Sequence, residues 1–140
     1  MYQKDYILRM IEMFAKFISL IISKITKGEY KEAEELLEES YKMLLKENAA
    51  KFTFIPKEKI TDQLLSDNNF EKEHLEILAQ LFKVEAELRF AQKNTELSLD
   101  FYQKALIIFE FLDNNSTDFS IQRKMDIDEI KEKINKLALS

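Results

Sequence analysis

Among its 140 residues the chain has no cysteine and no tryptophan, and only one glycine, one proline and one histidine. Without cysteine there are no disulfides, no thiolate nucleophiles and no cysteine-based zinc sites. One glycine excludes a glycine-rich phosphate loop, and no Ser-His-Asp grouping surrounds the single histidine. Chains typically carry about 7% glycine and about 5% proline. Sheets need such turn residues at short intervals, so a β or α/β fold lacks its punctuation here. The fold class that follows is all-α.

What is present is a chain 46% hydrophobic and 34% charged, apolar enough for a real core and too apolar for disorder. Its length fits one domain. The net charge is −5, unevenly spread. Residues 1–28 carry five basic and two acidic side chains, net +3, and residues 29–47 carry three basic and seven acidic, net −4. Phosphate binding needs a continuous basic face, so no nucleic-acid partner is expected. Residues 1–5 run straight into an amphipathic segment with no small-residue cleavage site behind it, and the expected location is cytoplasmic.

Residues 3–27 read as one long helix. Ile7, Met10, Ile11, Phe14, Phe17, Ile18, Ile21, Ile22 and Ile25 recur at three- and four-residue steps. Lys16 and Lys24 interrupt the apolar run, which argues against a membrane span. The plain reading is a core helix. The sharper one is a partner-binding or membrane-surface helix, with Lys16, Lys24 and Lys27 towards anionic lipid. The apolar face is wide enough for Met10, Phe14, Phe17 and Ile21 to form an interaction surface, including the isologous contact of a homodimer.

Gly28 falls where that helix must end, in the left-handed cap position glycine adopts without steric cost. A second helix over 29–47 turns Tyr30, Ala33, Leu36, Leu37, Tyr41, Leu44 and Leu45 inward. A later stretch repeats this logic: Gly28 aligns with Lys93, Ala33 with Ser98, and Leu37 with Tyr102. Around it, Ala86, Ala91 and Ala105 allow close backbone approach while Phe90, Leu97, Phe101 and Tyr102 fill the groove. Ala86, Phe90 and Lys93 fall on successive turns of one helix. After the Asn94-Thr95 break, Leu97, Ser98, Phe101, Tyr102, Ala105 and Phe109 mark the inner face of the next.

The expected layout is a hairpin over 3–47, a short inserted helix about 57–66, a hairpin over 70–112 and a terminal helix about 120–139. That makes five or six helices, with residues 51–55 as an apolar loop and 66–69 as a polar one. Ser120 is the expected N-cap of the last helix, whose stripe is Ile121, Met125, Ile127, Ile130, Ile134 and Leu137.

Three stretches together carry a family resemblance: Tyr2 to Glu12, the Lys27-Gly28-Glu29-Tyr30 turn, and Phe119 to Arg123. They resemble a family of small bacterial proteins (Firmicutes-type) of no assigned activity, with a tetratricopeptide-repeat-like helical fold. The resemblance implies helical hairpins closed by a C-terminal capping helix. Lys93 in place of the turn glycine and Ser98 in place of the usual alanine depart from the repeat pattern.

Candidate chemistry is sparse. Glu71 and His74 make one Glu-x-x-His, but a di-iron bundle needs two, so a solvated His74 is the plainer reading. Glu32, Glu34, Glu35, Glu38 and Glu39 are the densest carboxylate group, and acid–base work would need a desolvated cleft around them. As a wet helix face, partly offset by Lys31 and Lys42, they need none. Residues 113–118 fail as a calcium loop, with Asp118 where glycine and Lys124 where glutamate belong. Tyr6, Arg9, Glu12 and Arg123 are a candidate polar groove in which Arg123 grips a carboxylate; otherwise they are ion pairs tying the terminal helices together. No catalytic, cofactor-binding or metal residues are assigned. The expected function is a non-catalytic protein-interaction or scaffold module whose partner is another protein or a second copy. A membrane-peripheral role and a ligand-binding or enzymatic pocket are the alternatives.

Overall fold

Two helical hairpins meet along one central helix. The computed structural model describes residues 2–66, 70–117 and 119–139, and every regular element among them is helical. The first hairpin is α1 (Tyr2–Thr26) and α2 (Tyr30–Leu45); α3 (Ala49–Thr53) follows. The second is α4 (Lys72–Ala91) and α5 (Thr95–Asn115), and α6 (Ile121–Ala138) ends the chain. α1 and α2 pack on each other and both touch α4, α5 pairs with α4, and α6 lies on α5.

Both hairpin turns close by the same local chemistry. Gly28 sits at φ +77°; its N–H donates to the Ile25 carbonyl at 3.0 Å, and the Glu29 N–H donates to the Lys24 carbonyl at 2.9 Å. This is the Schellman pattern that satisfies the last carbonyls of a helix. Lys93 adopts φ +67° in the second turn and reproduces the pattern, with Lys93 N–H to Phe90 at 2.9 Å and Asn94 N–H to Arg89 at 2.8 Å. Asn94 then caps α5 by accepting from the Leu97 N–H at 3.1 Å. Ser98, where α2 has Ala33, donates its hydroxyl to the Ala86 carbonyl at 2.7 Å; both side chains are buried. Ser120 caps α6 as expected, accepting from the Arg123 N–H at 3.1 Å.

α4 is the centre of the core. Leu75, Ile77, Leu78, Ala79, Leu81, Phe82, Val84, Ala86 and Leu88 are all buried, which leaves it little solvent face. A helix apolar nearly all round is one surrounded by neighbours. Two expectations fail here. Phe90 is 55% exposed rather than filling the groove, and Lys93 lies beyond the helix end in the turn itself. On α6, Ile121 and Met125 face solvent, while Asp126, Ile127 and Ile130 are buried, so the inner stripe starts later than its apolar pattern suggests.

The connection between hairpins also differs from the expectation. Residues 49–53 form a helical turn instead of a loop, because Phe52 is driven into the core. Its ring stacks on Tyr41 with centroids 6.1 Å apart and meets Phe70 edge-on at 5.8 Å. The expected 57–66 helix is a 3-10 turn over Lys57–Lys59 and a π-helical turn over Thr61–Leu65, closed by the Ser66 N–H to the Thr61 carbonyl at 3.2 Å. Both lie against α5, with Ile60 and Leu64 buried and Lys57 donating to Gln103 at 2.8 Å. Residues 67–69 and Asp118 lie outside the described residues.

Candidate functional site: a charged groove and an uncovered helix face

The sites expected from sequence are redistributed by the fold. Met10 and Ile21 belong to the core, not to a surface, and Phe14 and Phe17 are half-buried against it. The strongest apolar stripe of α1 is the one α2 and α4 take. What α1 leaves to solvent is its neighbouring stripe: Leu8 at 52%, Ile11 at 46% and Ile22 at 43% exposure, with Ala15 also exposed and Ile18 half-buried.

The expected polar groove does not assemble. Tyr6, Arg9 and Glu12 are exposed on α1, whereas Arg123 on α6 pairs with Glu76 of α4 at 3.3 Å and approaches Asp113 of α5 at 4.0 Å. No ion pair ties α1 to α6 through these four residues. Instead α6 is fastened to α4 by a second cluster. Lys83 bridges Asp126 at 3.1 Å and Glu129 at 2.9 Å, and Gln80 donates to buried Asp126 at 2.8 Å. Burial alone would lower the Lys83 pKa, but the bonds to Glu129 and Asp126 outweigh it and raise it. His74 is half-buried with Nδ1 closed off and unbonded, not solvated as expected. Among the described residues no group of three His, Cys, Asp or Glu could hold a metal ion.

A groove of about 320 Å³ opens between α2, α3, α4 and α5. Its walls are Ala49, Ala50, Thr53, Leu97 and Phe101, and at its edge Phe54 is 81% exposed. Glu34 and Glu38 come from the acidic face of α2. Both are more than wetted charge: Glu34 accepts from Gln92 at 2.6 Å and lies 3.6 Å from Arg89, and Glu38 accepts the first N–H of α3, from Ala49, at 3.4 Å.

The floor is Glu85 and Arg89, one turn apart on α4 and 3.2 Å from each other. Glu85 is only 4% exposed, and its Oε2 accepts no aligned hydrogen bond. Burial pushes the Glu85 carboxyl above its usual range; Arg89 opposes that, while Glu34 and Glu38 add to it. Beneath it the fully buried Tyr41 hydroxyl has no hydrogen-bond partner, and burial followed by the nearby Glu85 charge raises its pKa. A carboxyl of raised pKa is one ingredient of acid–base catalysis. Here Oε2 is closed to solvent and the residue is almost fully buried, so a molecule in the groove meets Phe54, Leu97 and the α2 carboxylates first. Lys104 fixes two of the wall residues from behind, donating to the Thr53 carbonyl at 2.9 Å and lying 5.1 Å over the Phe101 ring, and it pairs with Asp100 at 2.9 Å.

Inward-facing Glu85 and Tyr41 were legible as polar members of apolar stripes. Arg89 and Phe54 were not, because neither follows a periodic pattern. Of the lysines expected to face lipid, Lys24 is held by Glu29 at 2.8 Å, while among the described residues Lys16 and Lys27 have no ion-pair partner. Among the described residues no helix is long and apolar enough to cross a membrane. No family model matches the chain, nor does any curated protein or solved structure.

Proposed function

We propose that the chain is a non-catalytic protein-interaction module of the cytoplasm, with a tetratricopeptide-repeat-like arrangement of its two hairpins and α6 as the terminal cap. Two observations support the arrangement: both turns use the same Schellman geometry, and α2 and α5 bury corresponding positions after it. The sequence resemblance to small bacterial proteins of that fold agrees with it. The observation that carries the function is the groove beside α3, where an exposed aromatic ring stands over an acidic rim. Such a surface takes a partner segment with an apolar anchor and a basic side chain, the anchor against Phe54 and Leu97 and the cation towards Glu34 and Glu38. Catalysis is not part of this reading.

Affinity selection of displayed peptides, followed by calorimetry on those enriched, tests it. The expected peptides pair a lysine or arginine with an apolar residue, and Phe54→Glu and Glu38→Lys each abolish their binding. No enrichment, or binding that survives both substitutions, ends this reading.

A further inference from the structure

We infer that the cation taken by the groove beside α3 is the ammonium of a lysine, held between Glu34 and Glu38, and that a guanidinium is disfavoured there. The inference rests on the groove reading above and names the basic residue of the partner segment.

The first observation is an unanswered charge. Glu34, Glu38 and Glu85 line the groove as acids, and Arg89 is the single base against them. Among the described residues no lysine lines it. Lys104, behind the wall, is paired with Asp100, and Lys51 of α3 is paired with Glu47 at 2.9 Å. Only 5% of the Glu85 side chain is exposed, and its Oε2, 3.2 Å from Arg89, has no hydrogen bond; the buried Arg89 Nε has none either. Burial raises the Glu85 pKa, Arg89 opposes this, and Glu34 and Glu38 raise it further. The rim and the floor therefore repel each other across the groove. A second cation relieves that repulsion, and an anion adds to it.

The second observation is which oxygens are left. Glu34 and Glu38 stand one helical turn apart on the same face of α2, and both are exposed. Each already uses Oε1 within the chain. That of Glu34 accepts from Gln92 at 2.6 Å and lies 3.6 Å from Arg89, and that of Glu38 accepts from the Ala49 N–H at 3.4 Å. Among the described residues neither Oε2 has a partner. A guanidinium binds best with two parallel donors on both oxygens of one carboxylate, and neither group leaves both unencumbered. An ammonium is a compact charge with rotatable donors, suited to one oxygen from each of two carboxylates. Its apolar stem then rests on Leu97 and Phe54 while the head stays at the wet rim. Arg89 stands at the Glu34 end, so Glu38 takes the larger share of the incoming charge.

Amide NMR of the isotope-labelled full chain, titrated with hexylamine and with hexylguanidine, tests the inference. Ala49 and Ala50 are the reporters, because the Ala49 N–H is bonded to Glu38. Hexylamine should shift both amides, with half-saturation about tenfold below that of hexylguanidine, and hexanoate should leave them in place. Glu38→Gln keeps an oxygen for Ala49 but removes the charge, and should abolish the response. Glu34→Gln should weaken it, and keeps the test valid should Glu38→Gln loosen α3. In a peptide enriched on the groove, exchanging lysine for arginine should weaken binding about tenfold, and Nε-acetylation of that lysine should abolish it. Hexylguanidine binding as well as hexylamine, a response that survives both substitutions, or a peptide indifferent to the arginine exchange overturns the inference and leaves the groove reading standing. No response to hexylamine overturns it too. Peptide enrichment in that case preserves the groove reading, and its absence removes both.

Discussion

The two hairpins are built on one turn and used in opposite ways. In the first, glycine takes the left-handed position, and nothing lies within 4 Å of where its Cβ would stand. Glycine is there for its φ, not for room. In the second, Lys93 takes the same conformation with a side chain attached. The second hairpin tolerates that strain because it is held on all sides. α4 is covered by α1, α2 and α5, with Phe82 and Phe101 rings 5.7 Å apart between α4 and α5. α1 has neighbours on one side and leaves an apolar seam on the other. A turn's geometry therefore says how two helices are joined, and their outer coverage says which hairpin carries stability and which is left open to solvent.

The largest effect should come from truncating the central hairpin. Phe82→Ala should cost about 3–5 kcal/mol, as fully buried aromatics do, while half-buried Phe14→Ala on α1 should cost about 1–2 kcal/mol. Equal losses in chemical denaturation would erase the distinction. Next, Arg89→Ala should cost about 2–3 kcal/mol by leaving Glu85 buried beside an unpartnered Tyr41 hydroxyl. A change of a few tenths would mean that the pair is a surface pair.

The turns themselves should respond with opposite signs. Gly28→Ala should destabilise by about 1 kcal/mol, since the new side chain is forced to positive φ. Lys93→Gly should stabilise by about 0.5–1 kcal/mol. The same sign for both would show that the two turns differ in more than the residue.

The smallest effect is in the pH profile. Burial raises Glu76, Glu85 and Glu87, all on α4, whereas at the first turn Glu29 is lowered by its bond to Lys24. An acid with a raised folded-state pKa holds its proton more tightly when folded, so it opposes folding at neutral pH. That opposition fades as pH falls through the raised value towards the ordinary 4.5. Glu87 feels burial first, with Lys83 and Lys133 opposing and Glu129 and Asp126 adding. Glu87→Gln should therefore stabilise at pH 7 and flatten the profile between pH 7 and about pH 4.5. A profile steeper than wild type would reverse the assignment.

Features set by local chemistry were readable in the sequence. The all-helical class, the Gly28 end, the Asn94 break and the Ser120 cap each depend on residues within one turn of each other. The match of Gly28 with Lys93 and Ala33 with Ser98 is local in the same sense. α3 was missed because five residues are too few for a period, and Phe52 becomes core only through Tyr41 and Phe70. The interaction face was sought at Met10 and Ile21, the best apolar positions, and those are the ones a core claims first. Ile11 and Ile22 stood in the same apolar face and are left to solvent, because nothing in the sequence says which side of that face the rest of the chain covers. Arg123 was grouped with Arg9 by motif, and its true partners are set by how α6 crosses α4 and α5.

Amide hydrogen exchange tests the contrast between the two hairpins most directly. The expected result is that α4 and α5 are the slowest-exchanging segments and that α1, covered on one side alone, exchanges faster. An α4–α5 hairpin that opens before α1, or equal protection of both hairpins, would contradict it.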